Sequence, residues 1–146
     1  MARLSVYNRQ KAHRADLPWL RRMVKAALPL CLDAARSPAA PLHELDEIEF
    51  TIVTDEEIGA VHAEFLGDPA PTDVITFHHG EILVSADTAF RQGAEHGQPL
   101  NHELALYMIH GLMHLAGWDD HDPEEAAEMA KRQEGVLRDC LAQQPS

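Results

Sequence analysis

The stretch His110-Gly111-Leu112-Met113-His114-Leu115-Ala116-Gly117-Trp118-Asp119-Asp120-His121 constrains the fold more than any other. His110 and His114 stand four apart inside an apolar run, Leu104 to Ala116, that is long enough for a helix. Residues at that spacing project from one helix face a turn apart. Two imidazoles so placed reach a single divalent ion at about 2.0–2.1 Å each. The helix axis carries later turns away from that ion, so a third ligand requires the chain to double back. Gly117 suits the left-handed geometry that ends a helix. Past it, Trp118 is placed to plug the core while Asp119, Asp120 and His121 return toward the metal. A lone histidine on an apolar helix reads as a core residue. Two at ligand spacing, followed by a helix-ending glycine and an Asp/His cluster, read as a metal site. Zinc is the expected ion, because two imidazoles and a carboxylate suit it.

The spacing from His110 to Asp120 is that of the third ligand in the H-E-x-x-H-x-x-G-x-x-H zinc proteases. Those enzymes place a glutamate directly after the first histidine as general base. Here that position is Gly111, which abstracts no proton. The ligand spacing is kept and the base for peptide hydrolysis is absent.

His110 to Asp119 closely resembles the H-G-x-x-H-L-x-G-[YW]-D signature of the YbeY endoribonucleases, bacterial factors that mature ribosomal RNA. Upstream, Pro71-Thr72-Asp73-Val74-Ile75-Thr76-Phe77 is similar to the family's P-T-D-V-L-S-F, and Gly80-Glu81-Ile82-Leu83-Val84-Ser85 to its G-D-I-x-I-S. Downstream, Glu128-Met129 is similar to its E-E-M. The likeness runs from about residue 46 to 138, and the N-terminal part matches in character only. Two departures stand out. The family's third ligand is usually histidine. Ungapped counting from His110 to Met129 puts Asp120 there and His121 one past it, and Asp120 is the expected ligand because it needs no gap. The family also tends to carry Asn, then Arg four residues later, in the helix before P-T-D, where this chain has His62 and Leu66. That arginine is associated with RNA handling, so its loss bears on cleavage more than on metal binding.

The resemblance implies a zinc-dependent, single-strand-specific endoribonuclease holding one ion through His110, His114 and Asp120. It implies action in maturation of the 16S rRNA 3′ end and in ribosome quality control, with RNA, the small ribosomal subunit and assembly factors as partners. Three protein ligands leave a fourth position for water, whose pKa on zinc falls to about 7. Attack by that water and attack by the RNA 2′-hydroxyl both stay open, and His62 is a candidate proton carrier. The rival readings are an assembly factor that binds RNA or protein and cuts slowly or not at all, and a metallohydrolase of another substrate. A structural zinc site would ordinarily have four protein ligands, rich in Cys. It would need Asp120 and His121 together.

The 146 residues are of ordinary size for one domain, so residues 1–146 are expected to form a single metal-dependent endoribonuclease domain. No apolar run approaches a membrane span. The start, Met1-Ala2-Arg3-Leu4-Ser5, is not followed by a secretory apolar block, so a cytoplasmic location is expected. Cys31 and Cys140 read as buried free thiols. The net charge of −12 is awkward for an RNA binder, since Lys and Arg make most phosphate contacts. Its distribution is uneven. Residues 1–36 hold eight basic residues and two acids, a net of +6, which leaves −18 for the remainder. From Ser37 to Phe90 there is no Lys or Arg. If RNA binds, the N-terminal segment is expected along its path, although Arg21, Arg22 and Lys25 equally suit the solvated face of an amphipathic helix.

Arg3 to Tyr7 alternates weakly as a strand. Asp16-Leu17-Pro18 opens a helix with Leu17, Leu20, Val24, Ala27 and Leu28 inward. Ser37 to Pro41 is a loop. Ile48, Phe50 and Ile52 mark a half-buried strand, and Thr54 with Glu57 forms a capping box for a helix to about Phe65, with Ile58, Val61 and Phe65 inward. Gly67 to Pro71 reads as a stiff loop suited to a groove wall. Val74–Phe77 and Ile82–Val84 form a hairpin across His78-His79-Gly80, where turn histidines are ordinarily solvated. Ser85 caps a helix to Ala94, Asn101 with Glu103 starts the metal helix, and Asp122 starts a last helix to about Leu141. Met129, Val136, Leu137 and Cys140 are its candidate core positions, and Gln143 to Ser146 are expected to fray. The order predicts an α+β fold, a small mixed sheet of about four strands with helices packed on it and the metal site at the C-terminal end of a helix.

Overall fold

The computed structural model describes residues 2–67 and 72–144. Within them the chain runs β1 (Arg3–Asn8), α1 (Leu17–Asp33), a short 3-10 turn (Pro41–His43), β2 (Glu47–Val53), α2 (Asp55–Leu66), β3 (Val74–Thr76), β4 (Glu81–Ser85), α3 (Ala86–His96), α4 (Leu100–Leu115) and α5 (Pro123–Gln143). Four strands form one mixed sheet in the order β1-β2-β4-β3. The pairs β1–β2 and β2–β4 are parallel, and β3 runs antiparallel to β4. The expected α+β architecture is therefore what the chain adopts. Most of the loop expected at Gly67–Pro71, and the end of the expected frayed tail at Pro145 and Ser146, lie outside the described residues.

Side-chain alternation along β4 divides the interior in two. Ile82 and Val84 enter the main core with Ile48, Phe50 and Ile52 of β2 and the inward faces of α1, α4 and α5. Leu83 turns to the opposite face, where it packs with Val53, Ile58 and Ile75 beneath α2. The central member of the main core is α4. It buries Leu104, Ala105, Met108, Ile109, Leu112, Met113 and Leu115, an apolar surface on nearly every side, as a helix enclosed by other elements requires.

Local chemistry explains the helix starts. Asp16 accepts from the Trp19 amide at 3.1 Å, Thr54 from Glu57 at 3.1 Å, Ser85 from Thr88 at 3.1 Å and Asp122 from Glu125 at 3.0 Å. Each satisfies an amide that the first helical turn leaves open. The Glu57 carboxylate pairs with Arg9 at 2.8 Å. Two expectations change. The helix α4 starts at Leu100 behind Pro99, and the Asn101 side chain accepts from the Asp16 amide at 2.9 Å, tying the starts of α1 and α4 together. Phe65 is not inward. It is 60% exposed, because the last turn of α2 carries it beyond the small apolar cluster that holds Ile58 and Val61.

Candidate metal centre

His110 and His114 project from the last turns of α4, which is held rigidly against the sheet. A Cβ on Gly111 would stand 2.8 and 2.9 Å from the Ile82 methyls and 3.1 Å from the Thr76 hydroxyl oxygen. Glycine at this position lets the helix backbone lie directly on β3 and β4. The glutamate of the zinc proteases has no room here, which gives the missing base a steric reason.

The reversal after α4 is a Schellman turn. Gly117, at φ +97°, donates to the His114 carbonyl at 3.0 Å, and the Trp118 amide donates to Met113 at 3.1 Å. Trp118 lies at the core's edge, and its indole N–H donates to the Ala34 carbonyl at 2.9 Å. The guanidinium groups of Arg36 and Arg132 lie 5.0 and 4.9 Å from its ring centre. Arg36 pairs with Glu125 at 2.7 Å, and Glu125 also accepts from the Asp119 amide at 2.8 Å. The returning chain is thus pinned to the segment just past α1 and to α5, immediately before Asp120.

These constraints bring three candidate ligand atoms together. The His110 and His114 Nε2 atoms are 3.0 Å apart, and Asp120 Oδ2 lies 3.6 and 3.7 Å from them. A tetrahedral ion bound at about 2.1 Å holds its ligand atoms about 3.4 Å apart, so the spacing fits. The tautomers fit as well. The Trp118 carbonyl can only accept, so His114 donates from Nδ1 at 3.0 Å. His110 donates from Nδ1 to Gln133 Oε1 at 2.8 Å. Both Nε2 atoms then present lone pairs to one another, an arrangement that a cation between them relieves. Ligating histidines commonly hold a carbonyl or carboxylate on the far nitrogen in this way. Burial, and then the neighbouring His110, lower the His114 pKa against an opposing pull from Asp120. The neutral ligand form is thereby favoured.

His121 is placed differently. Its side chain is 90% exposed and lies 3.5 Å from Asp119, with which Asp120 and His121 form a second, fully exposed group.

The centre opens into a groove of about 650 Å³. His62, Leu66, Thr76, Phe77 and His78 line it along with Trp118 and Asp119–His121. No lysine or arginine lines it among the described residues. The basic N-terminal segment approaches through Arg36, behind Trp118. Thr76 was not singled out from sequence. Its hydroxyl is buried with no partner among the described residues, a property that only tertiary packing reveals. A larger cavity, about 1000 Å³, lies between α3, α4 and α5 and contains none of the three clustered groups.

A family model described as Endoribonuclease YbeY matches residues 5–140. The chain belongs to the YbeY family. The Endoribonuclease YbeY of Exiguobacterium sp. is 35% identical over 116 residues, covering 66% of this chain and 73% of that protein. The Endoribonuclease YbeY of Syntrophus aciditrophicus is 32% identical over 149 aligned positions, covering 92% and 87%. A Thermotoga maritima protein solved in solution shares the fold, with a TM-score of 0.66 over 96% of this chain and 90% of that one, at 21% identity. The Asp120 carboxylate faces the imidazole pair. His62 and Leu66 both line the groove. Among the described residues no helix is long and apolar enough to cross a membrane.

Proposed function

We propose that residues 1–146 form one zinc-dependent endoribonuclease domain that cuts single-stranded RNA, acting in 16S rRNA 3′-end maturation and ribosome quality control. Family membership supports the endoribonuclease activity. The observation that carries the metal assignment is the convergence of His110 Nε2, His114 Nε2 and Asp120 Oδ2, with both imidazoles oriented from behind.

In this reading His110, His114 and Asp120 are the ligands of one ion, and His121 stays in solvent. When bound, the ion supplies Lewis acidity toward a phosphodiester and activates a nucleophile. Gln133 and the Trp118 carbonyl keep the ligand nitrogens aimed. Trp118, Arg36 and Glu125 hold the Asp119–Asp120 return in register. His62, on the groove wall, is the candidate proton carrier. Peptide hydrolysis is disfavoured, because position 111 admits neither a base nor a side chain.

A second reading, an RNA- or protein-binding assembly factor with little cleavage, is favoured by one observation. The described groove lining offers no Lys or Arg to phosphate, and Leu66 stands where the family carries arginine. One assay separates the two. Zinc-loaded protein, chelated protein and His114→Ala protein are incubated with a single-stranded RNA and with casein. RNA cutting that disappears in both controls supports the nuclease. Casein cutting, or no cutting at all with small-subunit binding retained, contradicts it.

A further inference from the structure

Beside the groove, the end of α2 and the β3–β4 turn carry three neighbouring rings. Phe65 and Leu66, at the end of α2, are 60% and 62% exposed. The Phe65 ring meets Phe77 edge-on, with centroids 5.4 Å apart at 78°. His79, exposed in the β3–β4 turn, stacks on Phe77 at 5.4 Å and 17°. Leu66 and Phe77 also line the groove that holds the metal centre, so the rings are continuous with it. An exposed phenylalanine forgoes the favourable burial of its ring, and clustered exposed apolar groups mark a binding surface.

Charge selects the occupant. The chain from Ser37 to Phe90 supplies this wall and contains no Lys or Arg. Asp73, Asp119 and Asp120 make the groove acidic. Among the described residues, no Lys or Arg lines it to meet a phosphate. The part of a polynucleotide suited to such a wall is the flat, uncharged face of a base, and that face is available only where the base is unpaired.

We propose that Phe65, Phe77 and His79 form a stacking platform for an unpaired nucleobase next to the phosphodiester held at the metal centre. The proposal rests on the nuclease reading for the identity of that phosphodiester. The platform discriminates against duplexes, whose bases are already stacked.

The test is fluorescence anisotropy of a labelled single-stranded oligoribonucleotide, 2′-O-methylated throughout to block cutting, with zinc-loaded protein. Phe65→Ala and His79→Ala are expected to weaken binding by about fivefold or more, the low end of what one base–aromatic stack contributes. An abasic oligomer should bind wild type as weakly as the intact oligomer binds Phe65→Ala. Phe65→Trp should keep the affinity, and the added indole emission should be quenched when the oligomer binds. Wild-type affinity in both alanine variants, equal binding of abasic and intact oligomers, or no binding by wild type would each overturn the platform. Parallel cleavage of unmodified RNA separates the two ideas. Cutting by wild type with unchanged affinity in both alanine variants removes the platform and keeps the nuclease. Base-dependent binding without any cutting removes the nuclease and keeps the platform.

Discussion

The two walls of the groove are built in opposite ways. The metal wall is over-determined. The helix α4 is enclosed by apolar neighbours, Gly111 seats it on the sheet, and hydrogen bonds and ion pairs fix the return through Trp118 and Asp119. The α2 wall is tied by a hydrogen-bond cluster at its start. There Asp55 accepts from Ser85 at 2.6 Å, Thr88 at 2.8 Å and Arg91 at 2.8 Å, whereas Phe65 and Leu66 at its end are exposed. The contrast suits a site where one side sets ligand positions closely and the other meets a flexible substrate. Ligand atoms tolerate only small displacements. A stacking surface tolerates more.

The contrast breaks most visibly at the ligands. His114→Ala is expected to lower zinc occupancy and RNA cleavage by more than about a hundredfold, beyond the usual cost of losing a supporting partner. Metal content and initial cleavage rate measure this. Gln133→Leu removes only the acceptor behind His110 and should weaken zinc binding by about 10- to 100-fold. A zinc-buffer titration measures it, and unchanged affinity would mean that the wall does not depend on its supports.

Gly111→Ala tests the seating of α4. Its methyl would collide with the fully buried Ile82, and overpacking of this kind costs about 1–3 kcal/mol, partly offset by the better helix propensity of alanine. Urea midpoints should fall, and a rise would contradict the tight contact.

Asp55 tests the anchored end of the other wall. Burial pushes its carboxyl up, but the donors Ser85, Thr88 and Arg91 outweigh that and hold it below the usual carboxylate range. A depressed native pKa adds stability that is fully present above the unfolded value of about 3.9 and is lost as pH falls through the lower native value. Asp55→Asn should therefore be less stable than wild type from neutral pH down to about 4, with the gap closing in more acid solution. A gap that is constant with pH would show that the charge is irrelevant.

The smallest effect is chemical. Burial, and then neighbouring Cys140, push the Cys31 thiol up to about 12. Both cysteines should resist thiol reagents until the protein unfolds.

Much of this was legible in sequence because it is local. Alternation marked β2, side-chain oxygens marked the starts of α1, α2, α3 and α5, and the i, i+4 histidines followed by glycine marked the site. Ungapped counting favours Asp120 over His121; Asp120 Oδ2 lies 3.6 and 3.7 Å from the two imidazoles, and the His121 side chain is 90% exposed. What stayed hidden was tertiary. Gly111 looked only like a missing base, yet it is also the contact that seats α4 on the sheet. Gln133, more than a full turn of α5 beyond Met129, had no local signal as the partner of His110. Asn101 looked like a helix cap and instead bridges two helices. Phe65 continued the apolar stripe of Ile58 and Val61, but periodicity does not say where the opposing core ends.

Zinc stoichiometry in single replacements of the return loop tests the central assignment most directly. Wild type and His121→Ala should each bind one ion per chain, and Asp120→Ala should bind it far more weakly. Full zinc content in Asp120→Ala, with loss in His121→Ala, would contradict the proposed centre.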